Sequence, residues 1–281
     1  MHRWMKEPAV LAAALLTVAS TALAADLPTQ KPPPEAPLPP ALQPVWRFEL
    51  TGYGWGSSTS GFAGVRSLPE VDYYANFRKI LEHLDGVLMG AATASNGTFL
   101  LGVDFIWVGL SGGAAIKNPE AVLPGTEANV TLREAIATGV GGVRIPIGPP
   151  NLELYGLGGL RWFHTKATLT LSNPFVPFSP SPGLTKDWLD PIVGFTAKYQ
   201  FDPKWFVNTE ADIGGWSDSA TGQALAAVGY NWTANISTTL GYRVLYTYDK
   251  QDTGPTLIGA SGSFRFLQWM YGPFVAFKYG F

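Results

Sequence analysis

No cysteine occurs in the chain. That excludes disulfide staples, zinc–thiolate sites, thiol nucleophiles and the acylated cysteine of a lipoprotein. Charge is scarce as well. Asp, Glu, Lys and Arg make up 14 % of the residues, against about 25 % in soluble domains. A soluble surface needs charge to stay solvated, whereas a surface that meets lipid does not. The 19 basic and 21 acidic residues nearly cancel. No Lys/Arg run is present to track phosphates, so no nucleic-acid partner is expected. Histidine is limited to His2, His83 and His164. With no thiol beside them these offer no metal-ligand spacing, and neither metal nor cofactor is expected. Glycine-rich phosphate-binding patterns are missing. Past Pro44 no stretch reaches 18 uninterrupted apolar residues, so no transmembrane helix is predicted.

What the chain does have is glycine (32 residues), aromatics (13 %) and a distinctive start. Arg3 and Lys6 precede an apolar run from Ala9 to Ala19, followed by the small-x-small sequence Ala22-Leu23-Ala24. This pattern predicts a secretory signal peptide over residues 1–24. Residues 25–44 are crowded with proline, from Pro28 to Pro44. Proline removes backbone donors and fixes φ, so the segment is expected to be an extended periplasmic arm.

The remainder, residues 45–281, alternates with a period of two. Ile236, Leu240, Tyr242, Val244, Tyr246 and Tyr248 share one parity, and Ser237, Thr239, Gly241, Arg243 and Thr247 the other. The same pattern fills Leu189–Phe201, Trp205–Ile213, Phe99–Trp107, Leu152–Trp162 and the start at Trp46–Thr51. Two further strands are less regular. Thr131–Ile147 loses phase around Gly139–Gly142, which suggests a bulge or bend, and Val87–Ala94 is small on both faces. A membrane β-strand needs only about 9–11 residues, apolar outward and polar or small inward.

Connections alternate in length. Short turns fall at Ser95-Asn96-Gly97, Gly148-Pro149-Pro150, Asp202-Pro203-Lys204 and Thr233-Ala234-Asn235, and Asn-Gly is a strong hairpin signal. Longer loops are expected at about 57–86, 111–128, 167–187 and 249–268, with a shorter one near 217–221. Within the first, Phe77, Ile80, Leu81 and Leu84 recur at helical spacing, which predicts a short loop helix over Tyr73–Leu84 ended by Gly86. Arg78 and Glu82 stand four apart on it and can pair. The helix is expected either to pack on the surface or to plug the lumen. The fold expected is an all-β, transmembrane antiparallel barrel of about ten strands, with eight or twelve also compatible.

The last stretch places Val275, Phe277, Tyr279 and Phe281 on one face, with Lys278 and Gly280 on the other. It is similar to the C-terminal strand that barrel-insertion machinery reads. Phe77–Asp85, Met89-Gly90, Gly97 and Asp104 resemble a large, mostly uncharacterised family of proteobacterial outer-membrane β-barrel proteins. So do Trp188–Gly194, Asp212–Trp216 and Gly241-Tyr242-Arg243. The stretch Ala25-Asp26-Leu27-Pro28 is similar to rhizobial-type members. The resemblance implies the fold, an outer-membrane location, and the membrane's lipids, lipopolysaccharide and the insertion machinery as partners. It implies no activity and no oligomeric state.

Parity places Glu49, Asp104, Glu153, Asp190, Glu210 and Asp212 in the lumen with Arg47, Arg161, Lys198, Arg243 and Lys278. Charges in a narrow interior must find partners, because an isolated one is costly. Eight strands leave an interior just filled by side chains. A network of salt bridges that largely plugs the barrel is therefore expected, and a structural or surface role in the envelope. A narrow channel for small solutes is the alternative. A hydrolase at the rim is the third reading, but it needs a Ser, a His and an acid together. His164 lies near an outer strand end without a His-x-Ser pattern, so no catalytic residue is assigned.

Overall fold

The computed structural model describes residues 45–65, 71–114, 127–173, 183–253 and 262–281. The expected signal peptide, the proline arm and residues 174–182 of the loop expected at about 167–187 lie outside the described residues. The elements are β1 (Arg47–Trp55), β2 (Ser58–Val65), β3 (Val71–Ala75), α1 (Phe77–Glu82), β4 (Leu84–Ser95), β5 (Phe99–Ala114), β6 (Glu127–Arg144), β7 (Leu152–Ser172), β8 (Gly183–Gln200), β9 (Trp205–Gly214), β10 (Ser219–Asn231), β11 (Ile236–Thr253) and β12 (Gly262–Gly280).

β1 and β4 to β12 pair antiparallel in chain order, and β12 returns to β1. That closes a ten-stranded barrel, and closure leaves no sheet edge unpaired in the membrane. The seam runs from Glu49 opposite Gly280 to Trp55 opposite Phe274. At its end Phe48 and Phe281 exchange backbone hydrogen bonds at 3.0 and 2.9 Å. β2 continues the line of β1 and also pairs β12, with β3 on its other side. The break between β1 and β2 has its cause in the facing strand. Pro273 of β12 has no N–H to give to Gly56, though its carbonyl accepts from the Gly56 N–H at 2.8 Å. Gly272 comes so close to Gly56 that an added Cβ would sit 2.1 Å from its carbonyl oxygen.

The exterior carries the apolar parity. Val193, Ile213 and Leu240 are 63 %, 70 % and 65 % exposed, while Arg161 and Asp190 are fully buried inside. Near the short turns an aromatic girdle forms: Tyr230 lies between Trp205 and Trp232 (4.9 and 4.8 Å), and Phe281 stacks on Phe48 and Tyr279. Toward the other end Tyr246 packs on Trp269 at 4.8 Å. Aromatic belts at both edges of an apolar band are what a bilayer demands of a barrel, and the short turns mark the periplasmic end.

Three expectations need correction. The predicted helix is a single exposed segment of six residues, and Gly86 belongs to β4. Asn76 caps its N-terminus, and Tyr73-Tyr74-Ala75 pair with β2 because backbone partners are available there. None of its residues is buried, so it does not plug the lumen. Arg78 and Glu82 do pair, at 3.0 Å. The second correction concerns loops. The ends of 111–128 and the described parts of 167–187 and 249–268 are mostly strand, since β5 to β8, β11 and β12 run on far beyond a bilayer's thickness. At ~3.3 Å per residue, the 21 residues of β7 reach ~70 Å. The third is β6, which pairs with β5 and β7 without a register shift. Its apparent loss of phase arises because Val140 and Gly142 occupy inward positions.

Candidate functional site

The lumen is built in layers. At the periplasmic end lies a vestibule of about 650 Å³, lined by Arg47, Glu49, Arg144, Glu153, Lys198 and Lys278 among others. Lys278 Nζ lies 3.6 Å from Glu49 Oε2 across the β12–β1 seam. Glu153 and Lys198 stand directly opposite in the β7–β8 register. The Lys198 ammonium also lies 4.7 Å over the Phe206 ring, which is buried against Gly229.

Arg243 roofs the vestibule. Its guanidinium donates to Asp104 (2.9 Å), Gln223 (2.6 and 3.1 Å) and the Tyr53 hydroxyl (2.9 Å). Tyr53 donates in turn to the other Asp104 oxygen at 2.8 Å, and Gln223 donates to Glu210 at 2.9 Å. One side chain from β11 thus joins β1, β5 and β10 across the lumen. Its other face lies 5.1 Å from the Trp55 ring. Arg161 makes a second crossing, from β7. It grips Asp212 of β9 with two bonds of 2.8 Å, and also donates to Thr138 and Thr221 at 3.1 Å. This fork geometry is the strong form of an Arg–carboxylate pair. Asp190 accepts a hydrogen bond from the Ser219 hydroxyl instead.

Beyond the arginines the lumen turns apolar. Trp55, Ile106, Ile136, Phe163, Trp188, Leu245, Phe266 and Met270 form one buried cluster drawn from seven strands. Phe163 and Trp188 stack at 4.8 Å. All eleven charged residues assigned to the interior by parity line it, and the structure divides them. Arg47, Glu49, Glu153, Lys198 and Lys278 line the open vestibule, Asp104, Glu210 and Arg243 form its roof, and Arg161, Asp190 and Asp212 are buried beyond it. Alternation alone does not find Tyr53, Thr138, Thr221 and Gln223. They carry no charge, and only the tilt of the strands brings them to an arginine.

The exterior rim holds one more arrangement. His164 of β7 stands opposite Asp187 of β8, with Nδ1 2.8 Å from Asp187 Oδ1, and its ring stacks on Trp162. Asp187 was not legible as a partner because the pairing depends on strand register. The residue facing His164 on its other side is Ala135, so no hydroxyl nucleophile flanks it in register. Among the described residues no cluster of three metal-ligating side chains occurs.

Comparison with solved structures finds the same fold. The chain is similar to the outer-membrane protease OmpT from Escherichia coli, with a TM-score of 0.54 and 12 % identity over 85 % of this chain and 97 % of that one. Lower similarity links it to Ail, the attachment invasion locus protein of Yersinia pestis (TM-score 0.37, 12 % identity, 84 % and 98 % covered). The translocator domain of the autotransporter NalP from Neisseria meningitidis follows at TM-score 0.39 and 12 % identity over 83 % and 88 %. No family model matches the sequence, and no curated protein matches it. The closed barrel, the apolar exterior and the girdles are those of an integral outer-membrane protein.

Proposed function

We propose that this barrel is a closed structural component of the outer membrane, contributing to envelope integrity through its wall and exterior rather than through transport. The observation that carries this reading is the blockage of the lumen by two arginine crossings backed by an apolar cluster. An ion would have to cross a dehydrated apolar layer, and a partner-bound charge does not move aside cheaply. The inward polar residues then act as cross-braces between distant strands. The membrane's lipids and lipopolysaccharide are its expected surroundings, and Val275, Phe277, Tyr279 and Phe281 its expected insertion signal. Purified protein in planar bilayers should give no reproducible single-channel steps, and a deletion strain should show envelope stress without a defect in solute uptake. Large regular steps would defeat the proposal.

The vestibule favours a second reading, a narrow solute path entered from the periplasm, and conductance also decides that one. The His164–Asp187 pair is the observation behind a rim hydrolase. Loss of a lipid A or protein substrate on adding the purified barrel, abolished in His164→Ala, would establish it.

A further inference from the structure

Two polar side chains meet inside the barrel on the outer side of the apolar layer. Glu134 projects from β6 and Gln268 from β12, and each is 4 % exposed. The Gln268 amide N–H donates to Glu134 Oε2 at 3.2 Å. The other oxygen of each group, Glu134 Oε1 and Gln268 Oε1, has no hydrogen-bond partner. Among the described residues no lysine or arginine forms an ion pair with Glu134. An ionised carboxylate here would be buried without a counter-charge, which costs several kcal/mol. A single proton on Glu134 removes that cost and gives Glu134 Oε1 an O–H to donate, the donor that Gln268 Oε1 lacks.

We propose that Glu134 carries its proton in the folded barrel and forms a cyclic acid–amide pair with Gln268, a clamp that ties β6 to β12 across the lumen. In this ring the Gln268 N–H donates to Glu134 Oε2 and the Glu134 O–H donates to Gln268 Oε1. Loss of the proton removes the second bond and leaves an unpaired anion, so the clamp is a pH-sensitive latch on the outer half of the lumen.

The other titratable groups facing this region are Tyr73 from β3, Lys186 and Asp190 from β8, and Asp249 from β11. Tyr73 donates to the Leu267 carbonyl at 3.3 Å, Asp190 accepts from Ser219, and Lys186 and Asp249 have contacts of their own. β5 and β7 present Val108 and Thr165 to Glu134, and neither titrates. The folded state favours the neutral acid. Its stabilisation is therefore complete in acid and is lost as pH rises through the titration of Glu134 in the folded barrel.

The test is thermal unfolding of the folded full chain in detergent micelles at about pH 5.5 and about pH 9, comparing wild type with E134Q and E134A. E134Q keeps two mutual amide bonds to Gln268 and has no proton to lose, and it retains the four surrounding groups. The wild-type midpoint should fall by about 3 °C or more beyond any fall in E134Q. E134A should sit below E134Q at both pH values. Equal falls in wild type and E134Q would overturn the proposal, as would an E134A midpoint matching that of E134Q. If E134A does not fold, the comparison of wild type with E134Q decides alone.

Discussion

Arg161 has no solvent-exposed surface, yet its guanidinium makes four hydrogen bonds, two of them to Asp212. Such a pair is asymmetric in its energetics. Replacing both partners by apolar residues of similar volume is often nearly neutral, whereas removing one leaves a buried charge uncompensated. Arg161→Met should therefore destabilise the barrel by about 3–5 kcal/mol, and adding Asp212→Leu should recover most of the loss. Urea unfolding of the folded barrel in vesicles measures both. A single variant as stable as wild type would show that the pair braces nothing. At this scale the sequence was informative for charge and silent on partners. Period-two parity placed Arg161 and Asp212 inside, because a strand's side chains alternate. It could not join them, because they sit on β7 and β9 with β8 between, and only the register and curvature of the sheet bring the two side chains together.

Among the elements, turns and the closing strand matter most. Asp202 Oδ1 accepts the backbone N–H groups of Lys204 and Trp205 at 2.7 and 2.8 Å, which starts β9 in register. These two bonds hold its carboxyl below the ordinary carboxylate range. The ionised form is the one the folded turn favours. Its contribution is thus present at neutral pH and disappears as pH falls through the folded-state value. Asp202→Asn, which keeps the acceptor but cannot titrate there, should lose less thermal stability on acidification than wild type. Identical acid profiles for the two would refute this. The closing strand invites a different test. Phe281 exchanges backbone bonds with Phe48 and stacks on it and on Tyr279. Deleting Phe281 should lower the fraction of heat-modifiable, inserted barrel recovered from membranes, and unchanged insertion would count against an insertion signal. The turns were readable from Asn96-Gly97 and Asp202-Pro203, whose chemistry is local. The β1–β2 break was not, because its cause, Pro273, lies some two hundred residues away in sequence.

For the whole molecule the decisive property is whether the lumen is open. The apolar cluster lies across it, and Phe163 with Trp188 supplies two of its largest side chains. Removing both rings (Phe163→Ala with Trp188→Ala) should turn a silent barrel into one with measurable conductance steps, provided a folded fraction is isolated first, because each truncation costs about 3–5 kcal/mol. Silence from a folded double variant would place the barrier at the arginine layers instead.

Architecture was set by the sequence alone, because its determinants are local and repetitive. Alternation, turn residues, low charge and the absence of any long apolar run each act over a few residues, and together they specify a closed barrel in the outer membrane. The interior was decided only by tertiary structure. Whether ten inward stripes of mixed side chains enclose a path or a plug depends on strand tilt and register. These bring Tyr53, Asp104 and Gln223 to one guanidinium, stack Phe163 on Trp188, and set Glu134 against Gln268. Most of these meetings join strands that become neighbours across the lumen only when the barrel closes, and the Phe163–Trp188 stack, within one hairpin, still depends on the β7–β8 register.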